Sequence, residues 1–238
     1  MTWAITPPVQ PSVPVHGCAD RFPVRRIFCV GRNYADHARE MGHDPDREPP
    51  FFFTKPADAL LTNDKPLPWP PLTRDLHFEG ELVVALGAGG TDVAPKDAAA
   101  LIWGYATGND LTRRDLQAEA KRLGRPWDMA KGFDGSAVCG AIHPAATPIT
   151  SGRLEVTVNG EVRQQACLSQ MIWPVADVIA HLSRMVRLEP GDLIYTGTPA
   201  GVGPLRPGDE VTVQVEGLSP VSTLIQPAPD ANESQPSA

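Results

Sequence analysis

Residues 76–86, Leu-His-Phe-Glu-Gly-Glu-Leu-Val-Val-Ala-Leu, join two acidic residues to an uninterrupted apolar run. This pattern predicts one long and largely buried strand. Alternate residues of a strand face the same side, so Glu79 and Glu81 should point together, and Gly80 leaves room for another backbone. Like charges that face inward repel each other and lose hydration, and a divalent cation would remove both penalties. An exposed strand edge with two solvated glutamates explains the spacing equally well.

The segments around this stretch alternate short apolar runs with turn residues, which is typical of a strand-rich protein. Asn159-Gly160 between two such runs is a strong hairpin signal, because both residues tolerate the positive φ of a type I′ turn. Further strands are predicted at 26–30, 51–53, 102–107, 154–158, 161–163, 193–196 and 211–215, and helices at 33–41, 112–123 and 174–185. Thr112 should cap the second helix, and Pro174 should be the first residue of the third. This order predicts an α+β fold built on a rolled or sandwiched mixed sheet.

Length and composition predict a globular protein with a sizeable core. The chain has 238 residues, of which 42% are apolar, and its net charge of −7 should attract neither nucleic acid nor an anionic membrane. No apolar stretch reaches the roughly 18 residues of a membrane span, and no signal peptide is evident. The four cysteines lack zinc-site spacing and are interpreted as reduced thiols. We therefore expect a cytoplasmic protein.

Proline-containing ends flank the predicted core. Residues 1–23 contain several prolines and no clean periodicity, which indicates an arm that runs over the surface. Residues 226–238 are polar and rich in proline and serine, which is typical of a disordered tail. One domain is therefore predicted at 24–225.

Asp110 adds a third carboxylate to the two glutamates. It stands in a predicted loop, Gly108-Asn109-Asp110, that follows the strand 102–107. The plainer interpretation is that Asp110 caps the following helix, a position that Thr112 could also take. Three carboxylates without cysteine or histidine make a hard oxygen site, which favours Mg²⁺ or Mn²⁺, with Ca²⁺ as an alternative and zinc disfavoured.

Five separated motifs follow one another along the chain: Gly31-Arg-Asn-Tyr-Ala-Asp-His37-Ala-Arg-Glu40, Glu79-x-Glu81, Gly108-Asn-Asp110-x-Thr-x-Arg-Asp-x-Gln117, Trp127-Asp-Met-Ala-Lys131-Gly-Phe-Asp and Thr196-Gly-Thr-Pro-x-Gly-Val-Gly203. In this order they resemble the fumarylacetoacetate hydrolase (FAH) family, and most closely its acylpyruvase and fumarylpyruvate hydrolase branch. The resemblance runs from about residue 24 to residue 225 and makes 24–225 a catalytic domain. It implies an FAH-type mixed β-sandwich roll with a few short helices, a homodimer, and a bound Mg²⁺ or Mn²⁺.

The resemblance also implies a role for individual residues. The metal ligands would be Glu79, Glu81 and Asp110, the catalytic residues His37, Glu40 and Lys131, and the substrate-binding residues Arg114, Gln117 and Thr198. The last three would hold the α-keto-carboxylate end of a small anionic keto acid. His37 and Glu40 would form a dyad in which the carboxylate orients the imidazole that deprotonates water.

From residue type alone, each of these side chains has a plainer interpretation. His37 on a short helix could be a surface or capping residue, and Lys131 could be a surface lysine. Arg114 and Gln117 could belong to a solvated helix face, which fits Arg113 better still. The stretch around Thr198 could be a turn, although a backbone N–H cradle for a carboxylate fits it better than a P-loop, whose Gly-Lys-Ser/Thr ending it lacks.

Members of this branch use water to split the C–C bond beside a ketone in an acylpyruvate. Fumarylpyruvate, a compound of aromatic catabolism, is our first choice of substrate. Lys131 would supply positive charge to the developing oxyanion, and residues 32–50 would close over the site as a lid. The alternatives are an oxaloacetate decarboxylase, an isomerase of keto-diacids, and a non-catalytic metal-binding scaffold.

Overall fold

The structure, a computed structural model, describes residues 2–40, 49–62 and 65–228. The strands are β1 (Ser12–Pro14), β2 (Arg21–Pro23), β3 (Arg26–Gly31), β4 (Phe51–Lys55), β5 (Leu60–Thr62), β6 (Leu67–Pro68), β7 (Leu76–Phe78), β8 (Gly80–Leu86), β9 (Ile102–Asp110), β10 (Thr112–Arg113), β11 (Ala137–Cys139), β12 (His143–Pro144), β13 (Arg153–Val158), β14 (Glu161–Cys167), β15 (Asp192–Tyr195), β16 (Gly203–Pro204), β17 (Glu210–Val215) and β18 (Val221–Gln226). The α-helices are α1 (Ala35–Glu40), α2 (Arg114–Leu123), α3 (Asp128–Lys131) and α4 (Val175–Met185), and 3-10 turns occupy Ala57–Ala59, Pro95–Leu101 and Leu168–Gln170.

A mixed eight-stranded sheet forms the centre of the fold. Its order is β4-β3-β15-β8-β9-β11-β5, with β12 paired to β9. β3 runs parallel to β15, and β5 runs parallel to β11, whereas β8 and β9 are antiparallel. Every residue of β8 is buried, because a strand that is apolar on both sides must be covered on both faces.

Each face of the central sheet packs against a different layer. On one face, Leu82 and Val84 share a core with Val156 of the five-stranded sheet β14-β13-β17-β18-β6. On the other face, Val83 shares a core with Phe22 of the β1–β2 hairpin. These layers confirm the predicted strand-rich α+β architecture.

Several local predictions in the second half of the chain are confirmed. β13 and β14 form a hairpin around Asn159 and Gly160, whose φ angles are 53° and 82°. β17 buries every second residue, as the alternating valines predict. α4 begins at Val175, so Pro174 is its N-cap and not its first residue as predicted. No helix in the described ranges is long and apolar enough to cross a membrane.

The predicted boundaries near the acidic residues are wrong, because pairing between distant strands overrides the local pattern. Residues 76–86 do not form one strand: β7 pairs with β10 and β16 in a small separate sheet, and β8 starts at Gly80 in the central sheet. The predicted loop 108–110 is the end of β9, which pairs there with β11. α2 starts at Arg114, and Thr112 instead donates its hydroxyl to the Asp110 carbonyl, so neither Thr112 nor Asp110 caps the helix.

Parts of the predicted lid and tail lie outside the described residues, namely 41–48 and 229–238. Within the predicted arm, β1 and β2 pair with each other and bury Val13 and Phe22. β18 continues to Gln226, the first residue of the predicted tail. The limits of arm, domain and tail stay predictions.

Candidate active site

Three carboxylates meet where β7, β8 and β9 come together. Glu79 lies at the junction of β7 and β8, Glu81 is the second residue of β8, and Asp110 is the last residue of β9. The Asp110 backbone N–H donates to the Glu79 carbonyl at 2.8 Å, and Glu81 pairs with Gly108 across the sheet. The register therefore brings one oxygen of each carboxylate within 4.8 Å of the others, and all three residues are buried.

Buried cations pair with two of these carboxylates. Lys131 Nζ lies 2.7 Å from Glu79 Oε2 and 2.9 Å from Asp110 Oδ2. Lys55 Nζ lies 2.7 Å from Asp110 Oδ1, and Arg114 Nη2 contacts Glu79 Oε1. Burial raises the pKa of the Glu79 carboxyl, but Lys131 and Arg114 lower it by more, so it lies well below its usual value. Burial lowers the pKa of Lys131, but Asp110 and Glu79 raise it by more, so both partners stay charged.

Glu81 differs from the other two carboxylates. Its Oε2 accepts a hydrogen bond from the Gly197 backbone N–H at 2.7 Å, and no cationic side chain among the described residues forms an ion pair with it. Burial raises the pKa of Glu81 well above its usual value, and the nearby Asp110 and Glu79 raise it further. A divalent cation would relieve this burial of like charge.

The donor set of the cluster fits a hard cation. All of its donors are carboxylate oxygens, without the thiolate or imidazole that zinc prefers. Oxygen ligands suit Mg²⁺ and Mn²⁺. The acidic cluster is therefore compatible with the expected divalent metal.

The predicted dyad is only partly described. His37 lies on α1, is 6% exposed, and lines the same cleft as Glu79 and Lys131, so a surface position is excluded. Burial raises the pKa of the Glu79 carboxyl, whereas Lys131, Arg114 and, more weakly, His37 lower it. The His37 imidazole is therefore close enough to interact electrostatically with the acidic cluster. The side chain of Glu40 lies outside the described residues. The His37–Glu40 contact therefore stays a prediction.

Arg114, Gln117 and Thr198 line the same cleft as the acidic cluster. Arg114 Nη1 donates to Gln117 Oε1 at 2.7 Å, as expected for two residues on one face of α2. Arg114 is largely buried and Lys131 is fully buried, so a solvated helix face and a surface lysine are excluded. The Gly197 N–H of the predicted carboxylate cradle is bound by Glu81.

Two buried cations near the site were not recognised from the sequence. Lys55 ends β4, and its Nζ donates to the Leu111 carbonyl at 3.1 Å and to the Lys131 carbonyl. Arg113 is also buried, and it donates to the backbone carbonyls of Pro71 and Met129, so its interpretation as a solvated residue is wrong. The one sequence signal for Lys55 is its place at the end of an aromatic strand, where a charge needs a buried partner.

Cations also lie over aromatic rings at the mouth of the cleft. The Arg32 guanidinium lies 5.0 Å from the centroid of the Phe51 ring, and Lys121 Nζ lies 5.1 Å from the Trp127 ring. Beyond this mouth the cleft continues into a cavity of about 700 Å³, which shares Arg32, Phe51, Trp127 and Lys131 with the inner site. The outer cavity is therefore aromatic and positively charged on its inner side.

Most of the chain has known relatives. Residues 26–226 match the family described as fumarylacetoacetate (FAA) hydrolase, C-terminal. A fumarylpyruvate hydrolase from Ralstonia sp. is 42% identical over 191 residues, which are 79% of this chain and 100% of that protein. Oxaloacetate tautomerase YcgM from Escherichia coli (strain K12) is 41% identical over 201 residues, 83% of this chain and 91% of that protein.

Solved structures show the same fold. The crystal structure of fumarylpyruvate hydrolase from Pseudomonas aeruginosa in complex with Mn²⁺ and pyruvate matches with a TM-score of 0.93 at 44% identity. The match covers 94% of this chain and 99% of that one. The chain is therefore an enzyme of the fumarylacetoacetate hydrolase family, with the strand-rich fold and the metal-compatible acidic cluster that the five motifs predict.

Proposed function

We propose that this enzyme hydrolyses the C–C bond of an acylpyruvate with the help of Mg²⁺ or Mn²⁺, and that fumarylpyruvate is its substrate. The observation that carries the proposal is the buried cluster of Glu79, Glu81 and Asp110 beside His37 and Lys131. Such a cluster can hold a cation next to a base that activates water. The Pseudomonas aeruginosa relative was crystallised with Mn²⁺ and pyruvate, which is one of the two products of this reaction.

The pyruvoyl end of the substrate would bind between α2 and the turn that carries Thr198. Arg114 already directs its guanidinium into the cluster, where it contacts Glu79 and Gln117. A guanidinium can hold a carboxylate through two parallel hydrogen bonds. Gln117 and Thr198 line the same cleft and would contact that end as well.

The bound cation would supply Lewis-acid polarisation and stabilise negative charge on the pyruvoyl oxygens. His37 would take a proton from water as the water oxygen bonds to the acyl carbonyl carbon. When the C–C bond breaks, its electron pair stays on the pyruvoyl fragment, and His37 returns the proton to the methylene carbon. Lys131, held as a cation by Asp110 and Glu79, would stabilise the oxyanion, and Glu40 would orient His37.

Oxaloacetate tautomerisation is the second candidate, because the Escherichia coli relative of that name is equally similar. Tautomerisation moves a proton between carbon and oxygen and needs no attack by water. The outer cavity favours the hydrolase, since about 700 Å³ lined by aromatic rings and Arg32 suits a planar acyl chain that ends in a carboxylate. A four-carbon substrate would leave that cavity unfilled.

Replacing His37 with glutamine separates hydrolysis from reactions that need no activated water. Hydrolysis of fumarylpyruvate should fall by about 10²–10⁴-fold, while any decarboxylation of oxaloacetate should be spared. The matched control is His16→Gln, an exposed histidine between β1 and β2, which should keep wild-type rates. Equal loss of both reactions, or unchanged hydrolysis, would contradict the role of His37. A metal-binding scaffold predicts no turnover of any acylpyruvate by the wild type.

The resemblance also supports a homodimer, a cytoplasmic location and a place in the breakdown of aromatic compounds. Of these, the dimer is the simplest to test. Light scattering after size exclusion should give twice the chain mass of 25.6 kDa, and a mass of one chain would contradict the dimer.

A further inference from the structure

Gln164 lies beside the active site although it belongs to the other sheet. Its side chain is 1% exposed, whereas both of its neighbours on β14 are exposed. The amide Nε2 donates to Thr198 Oγ1 at 2.9 Å and to the Pro199 carbonyl at 2.7 Å. Oε1 accepts from the Gly80 backbone N–H at 3.0 Å. One amide therefore contacts both the strand that carries Glu81 and the turn that carries Thr198.

A β-bulge accounts for the inward direction of this side chain. In the β13–β14 ladder, Val156 pairs with Gln164 and Thr157 pairs with Val162, so Arg163 is the extra residue. Such a bulge shifts the register of a strand and re-aims the residues that follow it. The Arg163 carbonyl packs against Gly201, where an added Cβ would lie 2.6 Å from it. The bulge is thus fitted to the backbone of the turn that begins at Thr196.

Gln164 holds the peptide between two candidate metal ligands. Gly80 separates Glu79 from Glu81 and is the first residue of β8, where it pairs with Asn109 of β9. Its N–H is bound by Gln164, and its carbonyl accepts from the Thr198 hydroxyl at 2.9 Å, which in turn accepts from Gln164. This closed set of hydrogen bonds holds the Gly80 peptide in a fixed position relative to Thr198. The spacing of the two carboxylates on either side of Gly80 therefore depends on the position of Thr198.

We propose that Gln164 is a positioning residue that couples the geometry of the cation site to the substrate-binding turn, without touching cation or substrate. The proposal rests on the cation site and substrate-binding turn of the proposed function. Hydrogen-bond partners of this indirect kind change metal affinity by about 10–100-fold when they are removed. Loss of the amide should weaken cation binding because Glu79 and Glu81 would no longer be held at a fixed separation.

The test compares Gln164→Met with Gln165→Met, which removes the same group from the exposed neighbour. Binding of Mn²⁺ alone is measured by titration, with free Mn²⁺ followed by electron paramagnetic resonance, well below the melting temperature of each variant. Gln164→Met should bind Mn²⁺ about 10–100-fold more weakly than the wild type. Gln165→Met should bind Mn²⁺ with wild-type affinity.

Wild-type Mn²⁺ affinity in a folded Gln164→Met protein would overturn the proposal, even if its melting temperature fell, because Gln164 would then be merely structural. If that variant does not fold, Gln164→Asn is measured in the same way, because its neutral amide is one methylene too short to reach Gly80, Thr198 and Pro199 together and should also bind Mn²⁺ more weakly. Unchanged Mn²⁺ affinity in that variant would overturn the proposal equally. A wild type that binds Mn²⁺ but hydrolyses no acylpyruvate would contradict the proposed function and leave the role of Gln164 in cation binding standing.

Discussion

Replacing Glu81 with glutamine should stabilise the cation-free protein and strongly reduce its stabilisation by Mn²⁺. The Glu81 carboxylate lies within 4.8 Å of those of Glu79 and Asp110 and accepts a hydrogen bond from the Gly197 N–H. Two like charges 4.8 Å apart repel by about 3.5 kcal/mol at an effective dielectric constant of about 20. Lys131 pairs with both neighbours and cancels part of this repulsion. A net gain of about 1–3 kcal/mol in unfolding free energy is therefore expected.

This gain should depend on pH. Burial raises the pKa of Glu81 well above its ordinary value of 4.5, and Asp110 and Glu79 raise it further. As pH rises above 4.5, the unfolded chain loses this proton while the folded chain keeps it, so the wild type loses stability relative to Glu81→Gln. The loss stops once the folded carboxyl has ionised. Well below pH 4.5 both states hold the proton, and the difference should vanish.

Calorimetric melting with a chelator and with excess Mn²⁺ measures both effects. A free-energy change of 1 kcal/mol shifts the melting temperature of a chain of this size by about 2–4 °C, so Glu81→Gln should melt about 2–12 °C higher than the wild type in chelator. Mn²⁺ at 100 times its Kd should stabilise the wild type by about 2.7 kcal/mol and the variant by much less. The exposed Glu119→Gln is the control and should follow the wild type. A Glu81→Gln protein that melts lower in chelator and keeps the full Mn²⁺ shift would refute the electrostatic reasoning.

Two further substitutions test the same cluster. Lys131→Met should lower the unfolding free energy of the cation-free protein by about 3–5 kcal/mol, because Glu79 and Asp110 lose a shared buried partner. Urea unfolding measures this loss, and a change within about 0.5 kcal/mol, typical of a surface residue, would contradict it. Gly80→Ala should cost about 1–3 kcal/mol, because its Cβ would lie 2.2 Å from Val156 Cγ2. Adding Val156→Ala should recover part of that loss in thermal melts, and no recovery would exclude the clash as its cause.

Features that depend on a few adjacent residues were predictable from the sequence. The Asn159-Gly160 turn needs positive φ at both positions, and few other residue pairs accept this conformation. The alternating valines of 211–215 require one buried face whatever strand lies beside them. The order of the five motifs led to the family, which the family match confirmed, and the solved relative confirmed the fold.

Features that depend on partners distant in the sequence were not predictable. The break at Glu79 arises because β7 joins a different sheet from β8, and the local pattern contains no sign of that partner. Asp110 ends a strand because β11 pairs with it, although Gly108-Asn109 resembles a loop. The prediction that the two glutamates lie close together was therefore correct, although it assumed one continuous strand that the protein does not form.

The cations of the site show the same limit. Lys55 and Lys131 are fully buried because both form ion pairs with Asp110, and these ion pairs join residues far apart in the chain. A lysine read in isolation is most often exposed, so its burial becomes evident only once its carboxylate partner is located. Lys131 was identified through the motif that contains it, whereas no motif drew attention to Lys55.

The most direct test of metal-dependent acylpyruvate hydrolysis is the loss of fumarylpyruvate absorbance in the presence of the purified protein. Turnover is expected with Mn²⁺, should stop when a chelator is added, and should return with excess Mn²⁺ or Mg²⁺. Asp110→Asn, which removes one carboxylate of the cluster, should show no turnover under any of these conditions. Turnover that survives the chelator, or none with fumaryl-, maleyl- or acetylpyruvate when Mn²⁺ is present, would contradict the account.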